Sequence, residues 1–217
     1  MYKIIEKFLN LVYPPVCGIC GKISKENLCN KCSTKLKQYE INKYIHINKN
    51  MYFDELKCLM EYKKDIRNLI LQYKFNNKAY MYKTFSKLIL KNKKICGFLK
   101  KYDIIIPVPL HKKRKQKRGY NQTELIVKEI AQNTNLKLIT NNLIKIKNIE
   151  PQSAFNKRQR KENIKGAFLV KNPEEIKDKN IIIFDDIYTT GSTVNECAKI
   201  LKKTGANKIG VLTLAKD

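Results

Sequence analysis

Residues 181–193 read Ile-Ile-Ile-Phe-Asp-Asp-Ile-Tyr-Thr-Thr-Gly-Ser-Thr, and the fold follows from this stretch. Four apolar residues, Ile181, Ile182, Ile183 and Phe184, lead into two adjacent carboxylates, Asp185 and Asp186. A short run that is apolar at every position suits a strand buried on both faces, as in a parallel sheet. Beyond the acids come Thr189, Thr190, Gly191, Ser192 and Thr193, and then Val194, Cys197, Ala198 and Leu201 repeat at helical spacing. The expected order is strand, acidic turn, hydroxyl-rich loop and helix start. Backbone N–H groups at a helix start, with a glycine that permits close approach, form a seat for a phosphate dianion. The aspartates repel that anion but suit hydroxyl donors or a hard cation such as Mg2+. A ribose 5-phosphate carries a phosphate near a vicinal diol and fits both halves of the motif.

Toward the carboxyl terminus, Lys202, Lys203 and Gly205 are helix-stop signals, and residues 209–214 form the last strand. Upstream, residues 166–170 (GAFLV) return as strand. Residues 147–165 hold a proline, many polar groups and little apolar periodicity, and are long enough to be a lid. Residues 103–107 (DIIIP) give another buried strand. Pro107 and Pro109 turn the chain out at its carboxyl end, because proline lacks the ladder donor, and ligands gather at that end in open α/β sheets. A cationic loop follows, with Lys112, Lys113, Arg114, Lys115, Lys117 and Arg118. Asn121 with Glu124 then starts a helix in the manner of a capping box, and Leu125, Ile126, Ile130 and Ala131 form its apolar face.

Residues 54–62 can form a strand. Ile66, Leu69, Ile70 and Tyr73 mark one helix, and Met81, Phe85, Leu88 and Ile89 another. Arg67, Lys74 and Lys78 read as solvated cations, and residues 136–139 and 143–146 as short β-like runs. The alternation of strands and helices predicts an α/β fold with a mostly parallel twisted sheet flanked by helices.

Cys17, Cys20, Cys29 and Cys32 make C-x2-C-x8-C-x2-C, the spacing of a structural four-cysteine zinc site. Gly18 and Gly21 let the backbone fold back toward the thiolates. Metal binding supplies most of the folding free energy of such a short segment, about 10–16 kcal/mol in small zinc modules. Residues 33–50 show no period and read as a linker, so the chain divides into a zinc module at 1–45 and a main domain at 46–217. Cys58, Cys96 and Cys197 sit singly among apolar residues and read as small buried hydrophobes.

In the first fifteen residues, charges at Lys3, Glu6 and Lys7 interrupt the apolar run, and no small-residue cleavage site follows. An amphipathic helix using Ile4, Ile5, Phe8, Leu9 and Val12 is expected there, with no signal peptide and no membrane span. Seven cysteines without a secretion signal argue against a disulfide framework. Across the 217 residues, 45 Lys and Arg stand against 19 Asp and Glu, a net charge of +26, which favours an anionic partner: a phosphorylated small molecule, nucleic acid or an anionic membrane surface.

Two resemblances rest on these residues. IIIFDDIYTTGST resembles, without a gap, the phosphoribosyl pyrophosphate (PRPP) binding motif of type I phosphoribosyltransferases. The wider chain is similar to the ComF family. The similarity rests on the zinc pairs after a short apolar N-terminal helix, on PVPLHKKRKQKRGYNQ at 107–122, and on Gln152, Arg160, Asn163 and Gly166-Ala167-Phe168. Tyr62, Ile66-Arg67, Leu69-Ile70 and Lys74 follow it more weakly. Ile149 departs from it, where relatives often carry threonine.

The resemblance implies a type I phosphoribosyltransferase fold, PRPP and Mg2+ as ligands, and structural Zn2+. It makes Asp185 and Asp186 the ribose-hydroxyl ligands and catalytic acids, and Thr189, Thr190, Gly191, Ser192 and Thr193 the 5-phosphate loop. The loop after 104–106, with Arg118, takes the place of the pyrophosphate loop. Residues 147–165 take that of the lid, with Arg158 or Arg160 as its candidate for excluding water. It also implies a cytoplasmic role in natural transformation, with single-stranded DNA and DNA-uptake proteins as partners.

A transferase needs cations for the leaving pyrophosphate, a fixed 5-phosphate, acids near the ribose, and exclusion of water. Each has a candidate here, but no segment is evident for recognising an acceptor base. Three functions remain open on this reading: a transferase, a PRPP- or nucleotide-regulated binding protein without turnover, and a nucleic-acid-binding competence factor. A glutamine-dependent amidophosphoribosyltransferase is disfavoured, because the chain begins Met1-Tyr2 and has no glutaminase domain.

Overall fold

The apolar run 181–184 lies at the middle of a five-stranded sheet. In the computed structural model, residues 14–24, 26–42, 45–75, 78–149 and 157–217 are described. The expected N-terminal helix and residues 150–156 of the expected lid lie outside them. The sheet is formed by β1 (Glu55–Glu61), β2 (Ile104–Pro107), β3 (Lys137–Leu138), β6 (Asn180–Tyr188) and β7 (Lys208–Lys216), in the order β1-β7-β6-β2-β3. Every pair is parallel. A separate antiparallel pair, β4 (Leu143–Lys145) with β5 (Phe168–Val170), stands off the main sheet.

The two faces of the sheet divide the core. Ile182 and Phe184 pack with Ile105, Leu212 and Leu214 on one face. Ile181 and Ile183 pack with Ile104, Ile106, Ile209 and Val211 on the other. This is the alternation of a strand covered on both sides. Ile181, Ile182, Ile183 and Phe184 are each wholly buried, a gain of about 1.5–3 kcal/mol per side chain.

The first face is covered by α2 (Lys64–Phe75), α3 (Met81–Lys91), α4 (Lys93–Leu99) and α6 (Gln122–Gln132). The second is covered by α8 (Ser192–Lys203), the β4–β5 pair and Ile164, at the end of α7 (Lys157–Ile164).

Several elements differ from the sequence reading. The 33–50 segment is not a plain linker: α1 (Asn30–Lys37) opens it and buries Cys32 and Leu36. Glu40 then bridges antiparallel to Met60, on the edge of β1. Eight residues are too few for periodicity to show, and α1 is held by packing. The basic run is not a loop but a short helix, α5 (Lys112–Arg118). Lys, Arg and Gln are good helix formers. Gly119 ends it at φ +77, a conformation that costs glycine little. The lid region carries α7. Finally, the acids do not sit in a turn, because β6 runs through both of them to Tyr188.

The cysteine-rich segment packs onto the main core. Cys17, Leu28, Cys32 and Leu36 share a cluster with Leu59, Tyr73 and Phe85. Thr84 Oγ1 donates to the Asn27 carbonyl at 2.6 Å, and Glu26 pairs with Lys87 at 2.9 Å and Lys91 at 3.2 Å. No helix among the described residues is long and apolar enough to cross a membrane.

Candidate functional site

The carboxyl ends of β2 and β6 open side by side, with Pro107 in register with Phe184. At the end of β6 the alternation slips by one residue. Phe184 and Ile187, three apart, pack on the same face, and the slip falls across the two aspartates. The Asp186 amide donates to Asp185 Oδ1 at 2.8 Å, so the first acid turns back on the chain. Asp186 reaches the end of α2, where its Oδ2 lies 2.6 Å from Lys74 Nζ with each side chain 16% exposed. Asp185 lies in the field of Cys197 on α8 and of Lys145 on β4. Burial, and then the Asp186 carboxylate, push its carboxyl up to about 7 from 3.8. Burial, and then Arg114, hold the Lys145 ammonium below its ordinary value.

After Tyr188 the chain needs only Thr189, Thr190 and Gly191 to enter α8, whose first turn contains Ser192 and Thr193. Gly191 is the N-cap, at φ +73. A Cβ there would lie 2.5 Å from the Tyr188 hydroxyl and 2.7 Å from its ring carbon Cζ. The position therefore requires glycine twice over, for its backbone and for the ring above it. Thr190 Oγ1 and Ser192 Oγ share a hydrogen bond of 2.8 Å, and the Ser192 amide donates to Thr190 Oγ1 at 3.3 Å. The next amides of a first turn have no carbonyl of their own helix to bond. Thr189 is exposed, and Thr190, Ser192 and Thr193 are half-buried.

Arg118, at the end of α5, is stacked over the Phe75 ring at 5.0 Å and donates from Nη1 to Gln122 Oε1 at 3.2 Å. Gln122 Nε2 donates in turn to the Lys74 carbonyl at 3.4 Å, and the Tyr73 hydroxyl donates to the Gln122 carbonyl at 2.7 Å. The structure thus gathers the acids and the 189–193 loop at one strand end, and ties Arg118 to the neighbouring end of α2. Nothing is described of the side chains of Arg158 and Arg160.

Sequence reasoning undervalued Lys74, which reads as an ordinary surface cation on its helix, and missed Lys145. The available signal for Lys145 was its alternation with Leu143, which puts a lysine on the inward side of β4. It also missed His111, at the start of α5, whose Nδ1 is buried and has no hydrogen-bond partner among the described residues.

In the cysteine-rich segment, the sulfurs of Cys17, Cys20, Cys29 and Cys32 all lie within 4.8 Å of one another, and Cys20 Sγ is 3.8 Å from Cys29 Sγ. A tetrahedron with Zn–S arms of about 2.3 Å has edges of about 3.8 Å. The donor set and its spacing fit Zn2+, with no position left for a substrate.

Residues 105–217 match the phosphoribosyl transferase domain family, and residues 8–43 match the double zinc ribbon domain. The chain belongs to the phosphoribosyl transferase domain family, with a zinc ribbon at its N-terminus. Its similarity to competence and DNA utilization proteins runs along most of its length, as the ComF-family resemblance implies. It is 29% identical over 213 residues to competence protein F of Haemophilus influenzae, across 96% of this chain and 93% of that protein. It is 27% identical over 207 residues to the DNA utilization protein YhgH of Escherichia coli, across 93% and 90%. To competence protein ComFC of Streptococcus pneumoniae it is 28% identical over 160 residues, across 74% and 67%.

Proposed function

We propose that the cleft at the ends of β2 and β6 binds PRPP together with Mg2+, in a cytoplasmic protein of DNA uptake, and transfers the phosphoribosyl group. The observation that carries this is the glycine-turned hydroxyl loop in the first turn of α8, two residues beyond a pair of strand-end acids. Thr190, Ser192, Thr193 and the first-turn amides hold the 5-phosphate, and the helix start favours its charge. Asp185 and Asp186 accept the ribose hydroxyls. The carboxylate and phosphate oxygens of such a site suit Mg2+, which when bound supplies charge neutralisation on the pyrophosphate.

Arg118 with Lys112 and Lys113 of α5 adds positive charge for the leaving group, and the acids stabilise the positive charge that grows on the sugar ring. The zinc ribbon is structural, and the division at residues 45 and 46 is the boundary we propose for it.

Calorimetry with PRPP and Mg2+ tests this reading. Saturable binding is expected, weakened by Asp186→Asn without loss of fold, and no heat at millimolar PRPP refutes it. A second reading, single-stranded DNA as partner, is favoured by the Arg118–Phe75 stack. Phe75 is 62% exposed, and an open aromatic ring beside cations suits unpaired bases. The +26 charge also exceeds the need of one small ligand. DNA affinity is expected to fall steeply with salt, and less steeply once residues 112–118 are neutralised. An unchanged slope would put the contacts elsewhere.

A further inference from the structure

We propose that Lys74 stands in for a divalent cation on the acid pair of the unliganded protein, so that Mg2+ enters with the sugar phosphate and not before it. The Lys74 ammonium lies 2.6 Å from Asp186 Oδ2, and only 16% of either side chain is exposed. This pair differs from surface pairs such as Lys63–Glu61, where the side chains are 65% and 36% exposed and screening leaves little net energy. At low exposure the attraction between unlike charges is stronger, and an unpaired carboxylate is costly. Two adjacent acids at a strand end would otherwise attract any divalent ion in the cell. The lysine occupies the oxygen that such an ion needs and cancels one of the two charges.

The backbone of Lys74 is fixed independently of its side chain. Tyr73 is wholly buried, and its hydroxyl donates to the Gln122 carbonyl at 2.7 Å. Gln122, itself 2% exposed, donates to the Lys74 carbonyl at 3.4 Å. The Tyr120 hydroxyl donates to the Tyr73 carbonyl at 3.4 Å. The last turn of α2 is therefore clamped to the start of α6. A lysine on such an anchor can swing its flexible four-carbon stem while the chain stays put. Displacement by an incoming cation needs only side-chain rotation, and the released ammonium remains in the cleft for an anionic ligand.

This inference rests on the acid pair being the ribose and cation site, but its test needs no sugar phosphate. Full-length, zinc-loaded protein is titrated with MnCl2 alone, and free Mn2+ is read by electron paramagnetic resonance. Lys74→Met is expected to gain one Mn2+ site, about tenfold or more tighter than any in the unmodified protein. Lys74→Met/Asp186→Asn is expected to lose that site, and Lys74→Arg to behave as the unmodified protein does. Should circular dichroism show Lys74→Met unfolded, Lys74→Gln carries the same comparison. Mn2+ binding unchanged by removal of the lysine, or a gained site that survives Asp186→Asn, overturns the proposal. If Lys74→Met gains the site while the unmodified protein fails to bind PRPP with Mg2+, the sugar-phosphate reading falls and the role of Lys74 stands. The converse pair of results removes only the role of Lys74.

Discussion

Asp185→Asn removes a negative charge that the fold holds at a disadvantage. Burial and the Asp186 carboxylate raise the Asp185 carboxyl to about 7 from 3.8. The folded state therefore holds a proton that the unfolded state releases between these values, and stability falls as pH rises through that window. The gap of about three units corresponds to about 4 kcal/mol at 1.36 kcal/mol per unit. Asp185 retains partial solvent contact, and screening reduces the realistic penalty to about 2 kcal/mol.

Asparagine resembles the protonated acid in shape and can still accept from the Asp186 amide. For a chain of this size about 2 kcal/mol is a rise in melting temperature of about 4–8 °C. Thermal melts followed by circular dichroism from about pH 4 to about pH 8 read this directly. The Asn variant is expected to be the more stable at the alkaline end, with its advantage shrinking below pH 7 and vanishing near pH 4. Equal melting at the alkaline end, or an advantage that does not vary with pH, refutes the reasoning. A stability gain that accompanies weaker ligand binding is the usual mark of a site kept for function.

Gly191→Ala places a side chain at φ +73 and against the Tyr188 ring. It should cost about 2 kcal/mol or more in a denaturant melt and abolish phosphate binding. Gly18→Ala puts a Cβ 3.2 Å from Thr84 Cβ and closer still to the hydroxyl that holds the Asn27 carbonyl. A loss of about 1–3 kcal/mol is expected, with zinc content, measured by atomic absorption, unchanged. Chelation of zinc should unfold the ribbon and also loosen α3, because Cys17, Leu28, Cys32 and Leu36 share a core with Phe85. Hydrogen exchange should show lost protection at both places.

The central strand and the glycine-turned helix start after it were the most legible parts of the sequence, because each rests on adjacent residues. Ile181 to Phe184 signal double burial by being apolar at every position, and Gly191 marks the helix start. The paired-cysteine spacing of the zinc ribbon was legible for the same reason. What escaped depended on contacts between distant residues. Lys74 and Asp186 are 112 positions apart in the chain, and nothing local distinguishes that lysine from its solvated neighbours. The seven residues of α5 and of α4 are too few for a helical period, and α1 depends on a core supplied by α2 and α3. The strand continued through Asp185 and Asp186 because β7 offers partners on that side, with Asp185 in register with Thr213 and Ile187 with Ala215. A sequence read along one strand does not reveal its neighbour.

The proposed seat of a 5-phosphate in the first turn of α8 is tested most directly by phosphorus NMR of PRPP with Mg2+, titrated against the full-length protein. The 5-phosphate resonance is expected to shift and broaden with the unmodified protein and to stay at its free position with Gly191→Ala. A 5-phosphate resonance unmoved by the unmodified protein, or moved equally by the variant, would contradict the assignment.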